Sequence, residues 1–180
     1  MKINRCTKAL IGSVFGGVLM AGLVAAPAQA QSYTWQNVQM VGGGYVDGIV
    51  AHPGQQGLFY ARTDVGGAYR YNAATATWTP LNDWTPSANN NWMGVDSIAV
   101  DPSNPSMVFM SVGAYDSWAY VPAGAILVSS NQGASFTAHP MPFPMGSNNT
   151  GRDAGERLQV DPNNGNVLFY HEQAFADEAT

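Results

Sequence analysis

Cysteine, charge and helical periodicity are all scarce in this sequence. Its sole cysteine, Cys6, lies within the first thirty residues, so the rest of the chain has no disulfide and must be stabilised by packing. Only 11% of the residues are charged, and beyond residue 30 no segment repeats apolar residues at helical spacing. What is abundant is glycine (20), proline (11), tyrosine (8) and tryptophan (5). This composition predicts a turn-rich, aromatic all-β protein.

The first thirty residues have the three parts of a secretory signal peptide. They are a basic start (Lys2, Arg5, Lys8), an apolar run (residues 9–26) and a small-x-small cleavage site (Ala28-Gln29-Ala30). We expect cleavage after Ala30, export to the periplasm or the medium, and no membrane attachment afterwards. The alternative, a membrane anchor, is disfavoured because the apolar run is short and glycine-rich.

Charge and motif content exclude several classes of function. Without residues 1–30 the chain keeps four basic and all twelve acidic residues, a net charge of −8, which argues against nucleic acid as a partner. The three histidines lack metal-ligand spacing, and neither a phosphate loop nor a nucleophile elbow is present. We therefore expect no metal and no cofactor.

One pattern recurs three times along the chain: a strand, a turn containing His-Pro or Asp-Pro, and an apolar strand. The turn prolines are Pro53, Pro102 and Pro162, at spacings of 49 and 60 residues, typical of a four-stranded propeller blade with variable loops. Residues 31–180 are thus predicted to be a partial β-propeller domain with blades at about 42–90, 91–150 and, incomplete, 151–180. Because two and a half blades cannot close a ring, we expect a fragment of a longer protein.

A second repeated feature is a hairpin sequence that differs between the first two units. In the second unit, residues 129–136 resemble the Asp-box of bacterial sialidase-type repeats, with Asn131 in place of Asp and Phe136 in place of Trp. We predict that this box is a structural hairpin whose polar residue binds turn amides while its aromatic packs between sheets.

In the first unit the corresponding hairpin reads ARTDVGGAYR, from Ala61 to Arg70, and places Asp64 at its tip. The neighbouring Gly66 and Gly67 supply positive φ and leave room beside the carboxylate. Two interpretations stay open at this point. Asp64 either caps its own turn or is an exposed carboxylate with a chemical function.

Four further residues are candidates for binding sugar. Tyr115 and Trp118 lie in the loop GAYDSWAY, and Tyr69 lies beside the Asp64 hairpin; aromatic rings stack on the C–H faces of sugars, although core packing is an equal alternative for them. Arg62 is close to Asp64 in sequence and either orients it, binds sugar hydroxyls, or points to the opposite face of the hairpin. Asp96, Glu156 and Arg157 are expected to be structural.

Several segments together resemble the N-terminus of glycoside hydrolase family 74, from about Tyr33 to Phe169. They are GGGYVDGIVAHP, GLFYARTDVGGAYRYN, WTPLNDW, MGVDSIAVDPSNP, GAILVSSNQGASF and GERLQVDPNN. The resemblance implies two seven-bladed β-propellers with a glucan in the cleft between them, and hydrolysis of xyloglucan with inversion. It implies that Asp64 is the general base and that the general acid is an aspartate of the second propeller, outside this chain.

The expected function is therefore that of a secreted β-propeller hydrolase acting on a plant cell-wall polysaccharide, xyloglucan or a related β-1,4-glucan. One alternative is a non-catalytic carbohydrate-binding or sialidase-like propeller. Another is a truncated product without function.

Overall fold

The computed structural model describes residues 40–116, 123–149, 151–152 and 155–171. These residues form three antiparallel β-sheets, two of four strands and one of two. The first contains β1 (Val46–Ala51), β2 (Phe59–Thr63), β3 (Ala68–Asn72) and β4 (Thr77–Pro80), the second β5 (Val95–Val100), β6 (Val108–Val112), β7 (Ala125–Ser129) and β8 (Thr137–Pro140), and the third β9 (Leu158–Asp161) and β10 (Asn164–Tyr170). A 3-10 helix, Ser87–Met93, precedes the second sheet.

Both four-stranded sheets are meanders in which each strand pairs with the next in the chain. They also share a β-bulge at the same place in their first strand, at Asp47 in β1 and at Asp96 in β5. A bulge leaves one residue without a partner in the ladder and bends the strand. The repeated meander confirms the all-β, partial-propeller architecture of about two and a half blades.

The core lies between successive sheets. One cluster joins the first and second sheets and includes Tyr60, Leu81, Ile98, Met110 and Leu127. A second cluster joins the second and third sheets and contains Phe109, Ile126, Met145 and Leu158. The middle sheet is therefore covered on both faces, which explains why all of β6 is buried. No helix in the described ranges is long and apolar enough to cross a membrane.

The Asp-box segment is a structural hairpin at the turn between β7 and β8. The side-chain oxygen of Asn131 accepts hydrogen bonds from the Ser129 hydroxyl (2.8 Å) and the Ser135 N–H (2.9 Å). Gln132 and Gly133 have φ values of 58° and 84°, and Phe136 packs against the first core cluster.

We expect Asn131→Ala to lower the free energy of unfolding by about 1 kcal/mol, because the turn loses this acceptor. Asn131→Asp keeps the acceptor oxygens and is the matched control, expected to stay near the wild-type value. Urea unfolding of both variants measures the difference. Equal stability of the alanine and aspartate variants would contradict this role of the side chain.

Candidate active site

Four chain segments meet at one end of the strands. They are the β2–β3 turn (64–67), the end of the 3-10 helix (91–94), the start of the β6–β7 connection (113–116) and two parts of the β8–β9 connection (146–149 and 151–152). Main-chain hydrogen bonds join them: Gly67 N–H to Met93 O (2.7 Å), Gly113 N–H to Gly94 O (2.8 Å) and Ser147 N–H to Gly113 O (2.9 Å). We call these segments the loop cluster. Asp64 lies within it, at the tip of the first hairpin.

The turn that carries Asp64 is closed by its neighbour, Thr63. The Thr63 N–H and hydroxyl both donate to the Gly67 carbonyl, at 3.1 and 2.7 Å, and the Gly66 N–H donates to the Thr63 hydroxyl at 2.9 Å. The Asp64 carboxylate takes its hydrogen bonds from distant parts of the chain. Capping of its own turn is therefore not what this side chain does.

Two donors hold the Asp64 carboxylate from different directions. The Tyr45 N–H donates to Oδ1 at 2.7 Å, and Arg152 Nη2 donates to Oδ2 at 2.7 Å. The Ser147 hydroxyl donates to the Asp64 main-chain carbonyl, also at 2.7 Å. A guanidinium at one oxygen and a main-chain amide at the other hold the carboxylate in a fixed orientation.

The expectation of an exposed carboxylate is wrong, because Asp64 is only 4% exposed. The space that the neighbouring glycines leave is filled by the protein's own backbone. A side chain at Gly66 would overlap the Gly43 carbonyl, and one at Gly44 would come within 2.9 Å of Asp64 Oδ1. Residues preceding β1 thus cover the hairpin tip from one side, and the loop containing Ser147 and Arg152 covers it from the other.

Comparison with known proteins gives close relatives along most of this chain, although no family model matches it. It is 44% identical over 140 residues to an oligoxyloglucan-reducing end-specific xyloglucanase from Emericella nidulans, covering 78% of this chain and 17% of that protein. A Paenibacillus xyloglucanase is 42% identical over 148 residues, covering 82% of this chain and 14% of that protein.

A crystal structure of a family 74 xyloglucanase from Xanthomonas campestris superimposes with a TM-score of 0.68 at 44% identity, covering 76% of this chain and 19% of that one. A family 74 enzyme from Niastella koreensis gives a TM-score of 0.65 at 42% identity, covering 74% of this chain and 19% of that one. The chain belongs to glycoside hydrolase family 74. It spans about a fifth or less of the length of these four relatives, and the resemblance seen in the sequence is confirmed.

In this family 74 chain, Arg62 is a structural residue. Its side chain is fully buried, with Nη1 3.0 Å from Asp47 Oδ1, Nε donating to Glu156 Oε1 at 2.7 Å and Nη2 donating to the Gly155 carbonyl at 3.2 Å. The prediction that Arg62 contacts substrate is therefore wrong. It points to the opposite face of the hairpin, where it joins the first sheet to the segment entering the third.

Tyr69 is also an interior residue. Its hydroxyl donates to the Gly66 carbonyl at 2.7 Å, and its ring lies under the backbone of Gly42, where any side chain would overlap the hydroxyl. Burial raises the pKa of the Tyr69 hydroxyl, and the nearby Asp83 charge adds to that rise. Tyr69 supports the turn that carries Asp64, and the prediction that its ring binds sugar is wrong.

Tyr115 remains a candidate for sugar binding in the family 74 site. Tyr115 is 44% exposed. Its main-chain N–H donates to Asn91 Oδ1 at 3.1 Å, which fixes the backbone of Tyr115 within the loop cluster. The other predicted platform residue, Trp118, lies outside the described residues.

Sequence reasoning missed three residues that hold Asp64: Tyr45, Ser147 and Arg152. Only the last two had an indirect signal, since residues 141–152 form a proline-, asparagine- and glycine-rich loop between repeats, and such loops often carry binding. Nothing local to Tyr45 marks it, because its main-chain amide makes the contact.

A repeated acid forms a buried charge network beside the site. The segments VDGIVAHP, VDSIAVDP and GERLQVDP occur once in each of the three units of this family 74 chain. The second residue of each segment is an acid: Asp47, Asp96 and Glu156. Asp47 contacts Arg62, and Asp96 contacts Arg157 (3.8 Å) and accepts from the Tyr170 hydroxyl (3.1 Å). Burial raises the pKa of Asp47 to about 6, partly offset by Arg62, and burial also raises the pKa of Asp96 despite Arg157.

The raised pKa of Asp47 predicts a pH-dependent stability. The folded state favours the protonated acid, so protonation of Asp47 stabilises the fold. This stabilisation is fully present below pH 3.8 and is lost as the pH rises through about 6. We expect Asp47→Asn, which imitates the protonated acid, to raise the free energy of unfolding at pH 7 by about 1–3 kcal/mol and to flatten its pH dependence between about pH 4 and 6.

Chemical denaturation at several pH values measures this effect. Asp83→Asn is the matched control, because Asp83 is exposed and the substitution changes the net charge equally. Lower stability of Asp47→Asn at pH 7, with an unchanged pH slope, would contradict the prediction.

Proposed function

We propose that this chain is part of a secreted glycoside hydrolase that cleaves the β-1,4-glucan backbone of xyloglucan with inversion, and that Asp64 is its general base. The observation that carries the proposal is the 44% identity to a xyloglucanase of known structure, across a segment that contains the Asp64 hairpin. The chain covers 19% of that relative, so the activity belongs to a larger protein of which these residues form part.

The arrangement around Asp64 suits a general base. An ionised carboxylate has about four lone-pair sites, and Tyr45 and Arg152 each take one of them. Lone pairs remain on both oxygens to accept the proton of a water. In an inverting reaction this water attacks the anomeric carbon opposite the leaving oxygen, while a second carboxyl, about 6.5–9.5 Å from the first, protonates that oxygen. We assign the second group, as the resemblance implies, to an aspartate beyond these residues.

Fewer residues are proposed to contact sugar than the sequence predicts. We retain the exposed ring of Tyr115, together with Trp118 in the same loop, as stacking residues for glucose units. Arg62 and Tyr69 act from the interior, by fixing the hairpin on which Asp64 lies.

We also propose that the protein is exported by a signal peptide cleaved after Ala30. The three-part pattern of residues 1–30 supports this step. The remaining residues, 31–180, would then be a partial N-terminal propeller with blades at about 42–90, 91–150 and 151–180.

A second candidate function is carbohydrate binding without catalysis. The specific observation in its favour is that Asp64 is only 4% exposed, which limits the approach of a water to the carboxylate. In that case the loop cluster and Tyr115 would recognise the polysaccharide, and Asp64 would only anchor the loops.

Hydrolysis of xyloglucan by the complete reading frame that contains this chain distinguishes the two candidates. We expect new reducing ends, with the α-anomer formed first as seen by proton NMR, since the β-linkage is inverted. Binding of xyloglucan without new reducing ends would support the second candidate. Early formation of the β-anomer would contradict the inverting mechanism.

A further inference from the structure

Arg152 makes the one side-chain hydrogen bond to the Asp64 carboxylate among the described residues. Its Nη2 lies 2.7 Å from Asp64 Oδ2. The two side chains differ greatly in burial, since that of Arg152 is 42% exposed and that of Asp64 is 5% exposed. The guanidinium therefore lies between the almost buried carboxylate and the solvent.

Arg152 is itself held by a hydrogen-bonded turn of the loop cluster. Its Nη2 also donates to Asn148 Oδ1, and the Asn148 N–H donates to the Ala114 carbonyl at 2.8 Å. The Gly151 N–H donates to the Gly146 carbonyl at 2.7 Å, which closes the turn just before Arg152. The guanidinium is thus tied to the second sheet and reaches across to the first.

Stability alone is a weak reason for this ion pair. A pair with one partly exposed partner contributes little to folding, because water competes for the charge and a long side chain must be ordered. Orientation is a better reason. The Tyr45 N–H and Arg152 approach different oxygens of the carboxylate, and two donors at two oxygens fix both its position and its plane.

We propose that Arg152 is a positioning residue for Asp64 in xyloglucan hydrolysis: by holding Oδ2, it sets the plane in which the carboxylate accepts the proton of the attacking water. This inference rests on the proposed function of Asp64. Arg152 acts through the base and contacts no reacting atom. Small displacements of a catalytic group cost about a hundredfold in rate, so the effect of losing Arg152 falls on kcat.

The test measures kcat and KM for xyloglucan with the complete reading frame that contains this chain. We expect Arg152→Gln to lower kcat about 10–100-fold with KM within about threefold of wild type. Arg152→Lys, which keeps a charged donor, should recover most of the lost rate. Arg70→Gln is the matched control, because Arg70 Nη1 donates to the Gln132 carbonyl at 2.7 Å, at the Asp-box turn, and should leave both constants unchanged.

A double-mutant cycle separates positioning from general damage. If Arg152 acts through Asp64, adding Arg152→Gln to Asp64→Asn causes no further loss of kcat. A folded Arg152→Gln variant with kcat within about twofold of wild type would overturn the proposal, as would equal losses in both backgrounds. If Arg152→Gln does not fold, Arg152→Met, which also removes the charge and the hydrogen-bond donor, is measured under the same criteria: a kcat at least about 10-fold below wild type and no further loss in the Asp64→Asn background are expected.

The same measurements distinguish this proposal from the proposed function itself. Wild-type activity on xyloglucan in an Asp64→Asn variant, or no hydrolysis by the unmodified protein, would overturn both. An inactive Asp64→Asn variant together with a fully active Arg152→Gln variant would leave the general base in place and overturn only the positioning role.

Discussion

Replacing Asp64 by asparagine is expected to lower kcat for xyloglucan hydrolysis by about 10²–10⁴-fold, the usual contribution of a general base. Asparagine keeps the size of the side chain and an oxygen that can accept from the Tyr45 N–H, 2.7 Å away in the wild type. It cannot take the proton of a water. We therefore expect a folded protein that still binds xyloglucan, with KM little changed, and initial rates over a range of substrate concentrations measure the loss.

Asp83→Asn is the control for this loss, because it makes the same chemical change at an exposed position. Its kcat should equal that of wild type. If Asp64→Asn unfolds the protein, Asp64 is primarily an anchor for the loop cluster. If hydrolysis continues at the wild-type rate, the proposed general base is wrong.

The second large effect is expected at Glu156, in the interior network. One oxygen accepts from Arg62 Nε at 2.7 Å, and the other accepts from the Ser97 hydroxyl and the Ile98 N–H, both at 2.7 Å. Glu156→Ala leaves these three donors without their acceptor, one of them on a fully buried arginine. We expect the free energy of unfolding to fall by about 2–4 kcal/mol.

Glu156→Gln is the matched variant for this experiment. It keeps one acceptor oxygen and loses the charge, so its stability should lie between those of wild type and alanine. Urea unfolding at pH 7 gives the three values. A loss below about 0.5 kcal/mol for Glu156→Ala, the size of an ordinary surface substitution, would show that water replaces the carboxylate without cost.

The repeated strands and turns follow from local sequence. Alternation of apolar residues, His-Pro and Asp-Pro turns and a glycine pair all act within about ten residues, and they predict the meanders and the Asp64 hairpin correctly. The Asp-box turn is a similar case, because Asn131 binds atoms only two to four residues away. When the three units are aligned, Asp47, Asp96 and Glu156 fall at the same position. This repeated acid can therefore be recognised from the sequence alone.

The burial of Asp64 has no such local signal. Its partners Tyr45, Ser147 and Arg152 are 19, 83 and 88 residues away in sequence. A strand's alternation shows which residues share a face, but not which face another sheet covers. For the same reason Arg62 could be placed near Asp64 but not assigned to the interior, where it meets Glu156, 94 residues away.

Azide rescue of an Asp64→Ala variant tests the general base most directly. Azide needs no deprotonation, so it can take the place of the water and attack the anomeric carbon while the separate acid still protonates the leaving oxygen. If Asp64 is the base, adding azide to the inactive variant restores cleavage and yields the α-glycosyl azide, the inverted product. If azide restores nothing while the variant still folds and binds xyloglucan, or if the β-azide forms, Asp64 does not have the role proposed for it.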